Sequence, residues 1–255
     1  MNGERVAVIT GASSGIGEAI ARELSRRDWH CVLLARRADE LERIAGEISG
    51  EWEVCDVSDR AQVDEVATRV LARHPIIGLL VNNAGIPARG SFLDIDPELV
   101  ERVTDVNYLG SVWCLRAFAP GLHAGAHVVN LVSVAGTVAF APAGAYAASK
   151  HAQLAFSRST AALLRPSGVQ VHTVMPGFVE TEGFPQRAKL RSPMLRRYVI
   201  EADDVAKAVV KAVDKGQSEV TVPWFPYRLA AIGQALVPGI FSRLVARRAG
   251  QHRDE

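Results

Sequence analysis

Three side chains in this sequence have the types and spacing to move a proton to or from an oxygen atom. Tyr146 and Lys150 lie four residues apart in "YAASK", within a stretch of helical period, so they share one helix face. A tyrosine with its ordinary pKa of about 10 is a poor base at neutral pH. An ammonium beside it favours the phenolate, so Lys150 is expected to lower the pKa of Tyr146 and make it a donor or acceptor near pH 7. Ser133 ends the apolar run "VVNLVS", where its hydroxyl could hold and polarise a carbonyl oxygen. An isolated Y-x-x-x-K is as well explained by a surface pair, so the reading depends on what surrounds it.

The surroundings include an anion cradle. In "TGASSGIG", residues 10–17, Gly11 permits a tight turn out of a strand. Gly15 and Gly17 let a helix start come close to a pyrophosphate, whose charge suits free N–H groups and the helix dipole. Ser13, Ser14 and Ile16 complete that loop. A tight turn binding nothing would need the same glycines. About twenty residues on, a chain that binds NAD usually ends its second strand in an acid that holds the ribose hydroxyls. Here the sequence is "LLARRADEL", with Ala35, Arg36 and Arg37 at that point. Without the acid there is no repulsion of a 2′-phosphate. Arg36, with Arg37 sharing the task and Ser13 joining, is expected to pair with it through its fork of donors. The expected cofactor is therefore NADP(H), with the choice between the two arginines open. The plainer alternative is a pair of solvated arginines before a helix.

These residues need a scaffold, and the chain alternates strand-length apolar runs with helix-period segments. Strands are expected at 6–10, 30–35, 52–56, 76–82, 127–133, 169–175 and 219–222, and helices at 15–27, 38–48, 60–73, 146–164 and 203–215. A longer helical stretch runs from Pro97 to about His123, interrupted near Gly110 or Pro120. Repeated strand–helix alternation implies parallel strands, and near-continuous apolar strands imply a sheet covered on both faces. The expected fold class is α/β: a doubly wound (Rossmann) parallel sheet of about seven strands with helices on both faces. Residues 1–222 are read as one domain and 223–255 as a helical extension.

"TGASSGIG", "NNAG" at 82–85 and "YAASK" at 146–150, in that order, resemble the short-chain dehydrogenase/reductase family, and "PGFVET" at 176–181 resembles a fourth motif. The likeness covers residues 5 to about 222. It implies that Tyr146 is the general acid in reduction and the base in oxidation. Lys150 would lower the tyrosine pKa and hold the nicotinamide ribose, and Ser133 would bind the substrate oxygen. Asn107, in "VTDVNYLGS", matches the family's asparagine that positions a proton-relay water; a helix-bending polar residue at an interface would look the same. Asp56 and Val57 would contact the adenine, although Asp56 could equally cap the next helix, as could Ser58 or Asp59. Asn83, Ala84 and Gly85 would lie against the adenosine, and Pro176, Gly177, Val179 and Thr181 would line the nicotinamide. The implied activity is hydride transfer between NADP(H) and a ketone or secondary alcohol, with an apolar substrate favoured. Reduction of a carrier-bound 3-oxoacyl group is the alternative chemistry, and a non-catalytic NADPH sensor the alternative class. The long helices around Asn107 and after Tyr146 resemble those the family uses in homodimers and homotetramers.

The rest bounds the partners. Of 255 residues, 48% are apolar and 22% charged, with net charge +1, so nothing global favours nucleic acid. Cys31, Cys55 and Cys114 form no CxxC pair and are expected to be reduced and buried, as in a cytoplasmic protein. No histidine spacing suggests a metal site. Residues 183–200, a substrate lid by resemblance, carry Arg187, Lys189, Arg191, Arg196 and Arg197 and no acid. That patch reads as a solvated face, with attraction of a charged substrate the second choice. In the extension, Leu229–Phe241 is apolar, too short to span a bilayer, and broken by Pro238. Its aromatic and basic flanks, over residues 224–248, suit packing over the cleft or against a subunit first, and a peripheral membrane contact second.

Overall fold

The structure is a computed structural model, described here for residues 5–138, 143–181, 187 and 196–239. Its main sheet has seven parallel strands in the order β3-β2-β1-β4-β5-β6-β9. These are β1 (Arg5–Thr10), β2 (Trp29–Ala35), β3 (Glu51–Val54), β4 (Leu79–Asn82), β5 (His127–Leu131), β6 (Gln170–Pro176) and β9 (Glu219–Val222). The sheet runs outward from β1 to β3, then restarts at β4 on the other side of β1. That reversal opens a crevice at the carboxyl ends of β1 and β4, where such sheets bind ligands.

Helices cover both faces, as the apolar strands require. One core packs α1 (Gly15–Ser25), α2 (Ala38–Ile48) and α7 (Ala202–Asp214) on one face through Ile20, Leu24, Ile44 and Val209. The other packs α3 (Arg60–Arg73), α5 (Gly110–Phe118) and α6 (Gly144–Leu164) through Val66, Val70, Cys114 and Phe118. All three cysteines are buried and unpaired, and burial pushes the Cys31 and Cys55 thiols up to about 12.

Most boundaries match the sequence expectation to within a few residues; the departures have local causes. Strand β4 starts at Leu79 rather than Ile76, because Ile76 is largely exposed and Gly78 packs beneath Trp29. The stretch from Pro97 is interrupted near both expected points, just before Gly110 and around Pro120. After α4 (Pro97–Thr104) it widens into one π turn, Asp105–Leu109, then continues as α5 and a 3₁₀ turn at Ala119–Gly121. Such a bulge is stabilised by the tertiary bonds of the residue it displaces, here Asn107, rather than by a local breaker. A two-stranded ribbon of β7 (Val179–Glu180) and β8 (Ile200–Glu201) was not legible in the sequence. The extension begins with α8 (Tyr227–Leu236), which stops just before Pro238. The basic tail beyond residue 239 and most of the segment expected to form a lid, including Lys189 and Arg191, lie outside the described residues. Among the described residues, no helix is long and apolar enough to cross a membrane.

Candidate active site

The glycine turn is held by a knot of hydrogen bonds at the ends of β1 and β4. The Thr10 hydroxyl donates to the Val81 carbonyl and accepts from the backbone N–H groups of Asn83 and Ala84, both at 3.0 Å. The Asn83 amide donates to the carbonyls of Thr10 (2.9 Å) and Gly11 (3.2 Å). Asn83 therefore supports the turn itself. Gly11 and Gly15 have φ of 65° and 58°, the left-handed region that favours glycine. A Cβ on Gly17 would collide with the Gly11 carbonyl, so helix α1 approaches the turn as closely as a backbone can. Ser14, the N-cap of α1, makes no side-chain capping bond, so the first-turn N–H groups remain donors for an anion. Thr181 packs against Gly15, which places it at this anion cradle.

Beside the turn lies a cavity of about 440 Å³ whose walls include Ala35, Arg36, Arg37, Asp56, Val57 and Ala84. Arg37 is fixed: its guanidinium donates to the Ser13 carbonyl at 2.8 Å and to the Ser13 hydroxyl at 3.2 Å. Arg36 is also exposed and leans toward Asp56, at 3.8 Å. Helix α3 is capped by Asp59, not Asp56; the Asp59 carboxylate accepts from the Gln62 N–H. Asp56 instead receives the Ser58 N–H and hydroxyl. Val57 is buried beneath Gly110, where any side chain on the glycine would strike it.

At the carboxyl end of β5, the Ser133 hydroxyl comes against the Tyr146 phenol and favours its ionised form. The Ser133 oxygen also accepts from the Ala135 N–H at 3.1 Å and faces the Pro176 carbonyl at 3.5 Å. Lys150 follows one turn after Tyr146 on the same face, its Nζ 6.0 Å from the phenol ring centre. The expected lowering of the tyrosine pKa is not what this geometry produces. Burial pushes the Tyr146 phenol above its ordinary value, opposed only by the Ser133 bond. The reason is where the ammonium points: Nζ donates to the Leu131 carbonyl (2.9 Å) and to the Gln153 side-chain carbonyl (2.7 Å), not to the phenol. Lys150 itself is pushed down to about 7 by burial. Asn107 is fully buried on the π turn. Its Oδ1 accepts the Ile86 N–H at 2.8 Å, and its amide donates to the Ile86 carbonyl and to Ser149. It thus clamps the loop after "NNAG", so that Gly85 lies beside Lys150.

On the opposite wall, Gly177 follows Pro176 and bonds β9, while Val179 is buried in the ribbon. A side chain on Gly177 would overlap the ring of Tyr227, which covers it from α8. The Tyr227 hydroxyl donates to the Tyr198 carbonyl and faces the Phe178 N–H. Trp224, Phe225, Leu229 and Ile232 remain exposed nearby. In the lid segment, Arg187 pairs with Glu201 at 2.6 Å and its backbone N–H with Glu180. The acid-free reading of 183–200 therefore holds only within that segment, because its acids flank it.

Sequence reasoning missed Thr10, Ser111, Gln153 and Tyr227. Gln153 carried a signal: a polar residue three positions after Lys150, on a helix face otherwise turned to the core. It also missed that His30 and His74 both converge on Glu51, at 3.1 and 2.9 Å, while Arg73 takes its other oxygen. These residues come from three elements, so no local spacing announces them.

Comparison with known proteins agrees with this layout. The family model for short chain dehydrogenase matches residues 5–191. Dehydrogenase/reductase SDR family member 7B of Bos taurus is 30% identical over 270 residues, covering 97% of this chain and 82% of that protein. An alcohol dehydrogenase from Thermococcus sibiricus, solved with 5-hydroxy-NADP, superposes with a TM-score of 0.75 at 29% identity, covering 86% of this chain and 96% of that one. A short chain dehydrogenase/reductase from Burkholderia phymatum, solved with NAD, gives 0.78 at 28% identity, covering 91% and 95%. With the family model matched over most of its length and the seven-stranded sheet shared with the solved relatives, the chain belongs to the short chain dehydrogenases and is an oxidoreductase.

Proposed function

We propose that this protein is an NADP(H)-dependent carbonyl reductase whose substrate is an apolar ketone or aldehyde. The observation that carries the reading is the pairing of Ser133 with Tyr146 at the strand ends, backed by the buried Lys150. When bound, the reduced nicotinamide supplies the hydride. Ser133 and Tyr146 together hold the substrate oxygen, and Tyr146 gives it a proton as negative charge develops there. The phenol stays protonated at neutral pH, the state a proton donor to the substrate oxygen needs. Lys150 is placed to bond the nicotinamide ribose, with Asn107 holding the loop that leaves room for it. Pro176, Gly177 and Val179 would wall the nicotinamide, and Gly15, Gly17 and Thr181 would receive the pyrophosphate.

Support for NADP(H) comes from Ala35 and from the locking of Arg37 onto Ser13, which presents a fixed guanidinium at the end of β2. Relatives have been solved with either nicotinamide cofactor, so these residues bear the distinction. The exposed aromatic and aliphatic side chains of residues 224–232 favour an apolar substrate. The pairing of Arg187 with Glu201 and Glu180 counts against a strongly anionic, carrier-linked one.

The test is a panel of apolar ketones, aldehydes and carrier-linked 3-oxoacyl substrates, assayed with NADPH and NADH. NADPH-dependent reduction of apolar carbonyls is expected. Tyr146→Phe should lose about 10²–10⁴-fold in kcat while binding NADPH as tightly as before. Substantial turnover by Tyr146→Phe, or no turnover of any carbonyl by the unmutated chain, would overturn the reading.

A further inference from the structure

Gln153 has no place in the chemistry so far, yet it is fully buried between α5 and α6. A buried amide is costly unless both its ends are bonded. Its carbonyl oxygen accepts from Lys150 Nζ at 2.7 Å, and its amide nitrogen donates to the Ser111 hydroxyl on α5 at 2.8 Å. An ammonium only donates, so the amide has one workable orientation, and Ser111 fixes it from behind. We propose that Gln153, braced by Ser111, is a positioning residue that keeps the Lys150 ammonium charged and holds it beside Gly85, one turn from Tyr146.

The physical need is plain from what faces Lys150. The Leu131 carbonyl of β5 and Gln153 of α6 accept two of its protons, and Gly85 leaves room beside it. Asn107 and Ser111 are neutral, and Tyr146 is the titratable side chain on its face of the helix. Among the described residues, no carboxylate offsets the cost of burying this charge, and burial alone draws the lysine down to about 7. Gln153 is thus the side-chain acceptor for a cation that must survive in a dry site. A methionine of equal length would fill the space without accepting a proton. A glutamate would accept it with a full charge.

The proposal rests on Lys150 serving the reduction proposed above, but its first test does not need the cofactor. The chain has five lysines, Lys150, Lys189, Lys207, Lys211 and Lys215. Titration of full-length protein carrying ¹³Cε-labelled lysine therefore resolves Lys150, assigned by loss of its signal in Lys150→Met. A hydrogen bond to a charged group is worth enough to move its midpoint by about one to two pH units. Gln153→Met should move the Lys150 midpoint down by that amount and Gln153→Glu should move it up, with Ser111→Ala giving a smaller downward shift. In NADPH-dependent ketone reduction, the alkaline limb of kcat should move in the same two directions. Gln153→Met should then lose about tenfold in kcat above neutral pH and recover in mild acid, with little change in the ketone KM. A merely structural role would lower kcat at every pH in both variants. An unmoved Lys150 midpoint in folded Gln153→Met and Gln153→Glu would overturn the proposal. Absence of turnover in the unmutated chain would instead overturn the proposed function, leaving the lysine titration to decide the role of Gln153.

Discussion

Ala35→Asp restores the acid that NAD-binding chains place at the end of the second strand. Ala35 is the last residue of β2, it is buried, and it lines the cavity that holds Arg36 and Arg37. For a carboxylate and a 2′-phosphate taken at about 5 Å, an effective dielectric of 20–40 makes each unit-charge pair cost about 2–3 kcal/mol. That corresponds to a loss of about 30- to 150-fold in kcat/KM for NADPH. The same carboxylate can accept the ribose hydroxyls of NADH, a gain of about 0.5–1.5 kcal/mol and so about two- to tenfold. The assay is nicotinamide absorbance with both cofactors at low and high salt. Part of the NADPH loss should return at high salt, because the site is open enough for screening. Equal losses with both cofactors would indicate damage to the fold, and an unchanged NADPH value would refute the placement of the phosphate.

Arg37→Ala should reduce kcat/KM for NADPH by about 10- to 100-fold and leave NADH within about twofold, whereas Arg36→Ala should cost less because its guanidinium is shared with Asp56 rather than anchored on the glycine turn; the reverse order would show that Arg36, not the anchored Arg37, binds the phosphate. Gly17→Ala must push α1 away from the Gly11 carbonyl and the Asn83 amide, at about 1–3 kcal/mol, or about 3–10 °C in Tm for a chain of this size; cofactor affinity should fall with it, as thermal melts with and without NADPH would show. Because Lys150 is drawn down to about 7 in the folded protein from 10.5, the folded state binds fewer protons than the unfolded one between those values and stability rises with pH there. Lys150→Met lacks that rise, so its Tm relative to the unmutated protein should fall steadily as the pH is raised from neutral toward about 10; a constant difference would mean that Lys150 is not buried as a strained cation.

Several site features were legible from types and spacing. The helical period places Tyr146 and Lys150 on one face, and glycine alone tolerates the turn between β1 and α1. Ala35–Arg36–Arg37 stood out because an expected acid was missing. The direction of the Tyr146 pKa was not legible. Spacing says that an ammonium is near, but not that a strand carbonyl and a glutamine draw it aside, nor that burial outweighs it. The choice of Asp59 over Asp56 as helix cap was likewise open, because adjacent residues differ in role only by backbone geometry.

Sequence by itself determined the alternation of strands and helices, the doubly wound sheet, the glycine turn and the residue types proposed to react. Those follow from periodicity and from residue types with few substitutes, and both are local properties of a chain. Tertiary structure decided the rest. It locked Arg37 onto Ser13 while leaving Arg36 beside Asp56, put Asn107 on a π turn that grips the Ile86 backbone, and covered Gly177 with Tyr227 from fifty residues away. It also buried Gln153 against Lys150. Each of these depends on the distance and direction between groups on separate elements, and those are set only when the sheet, its helices and the extension pack together.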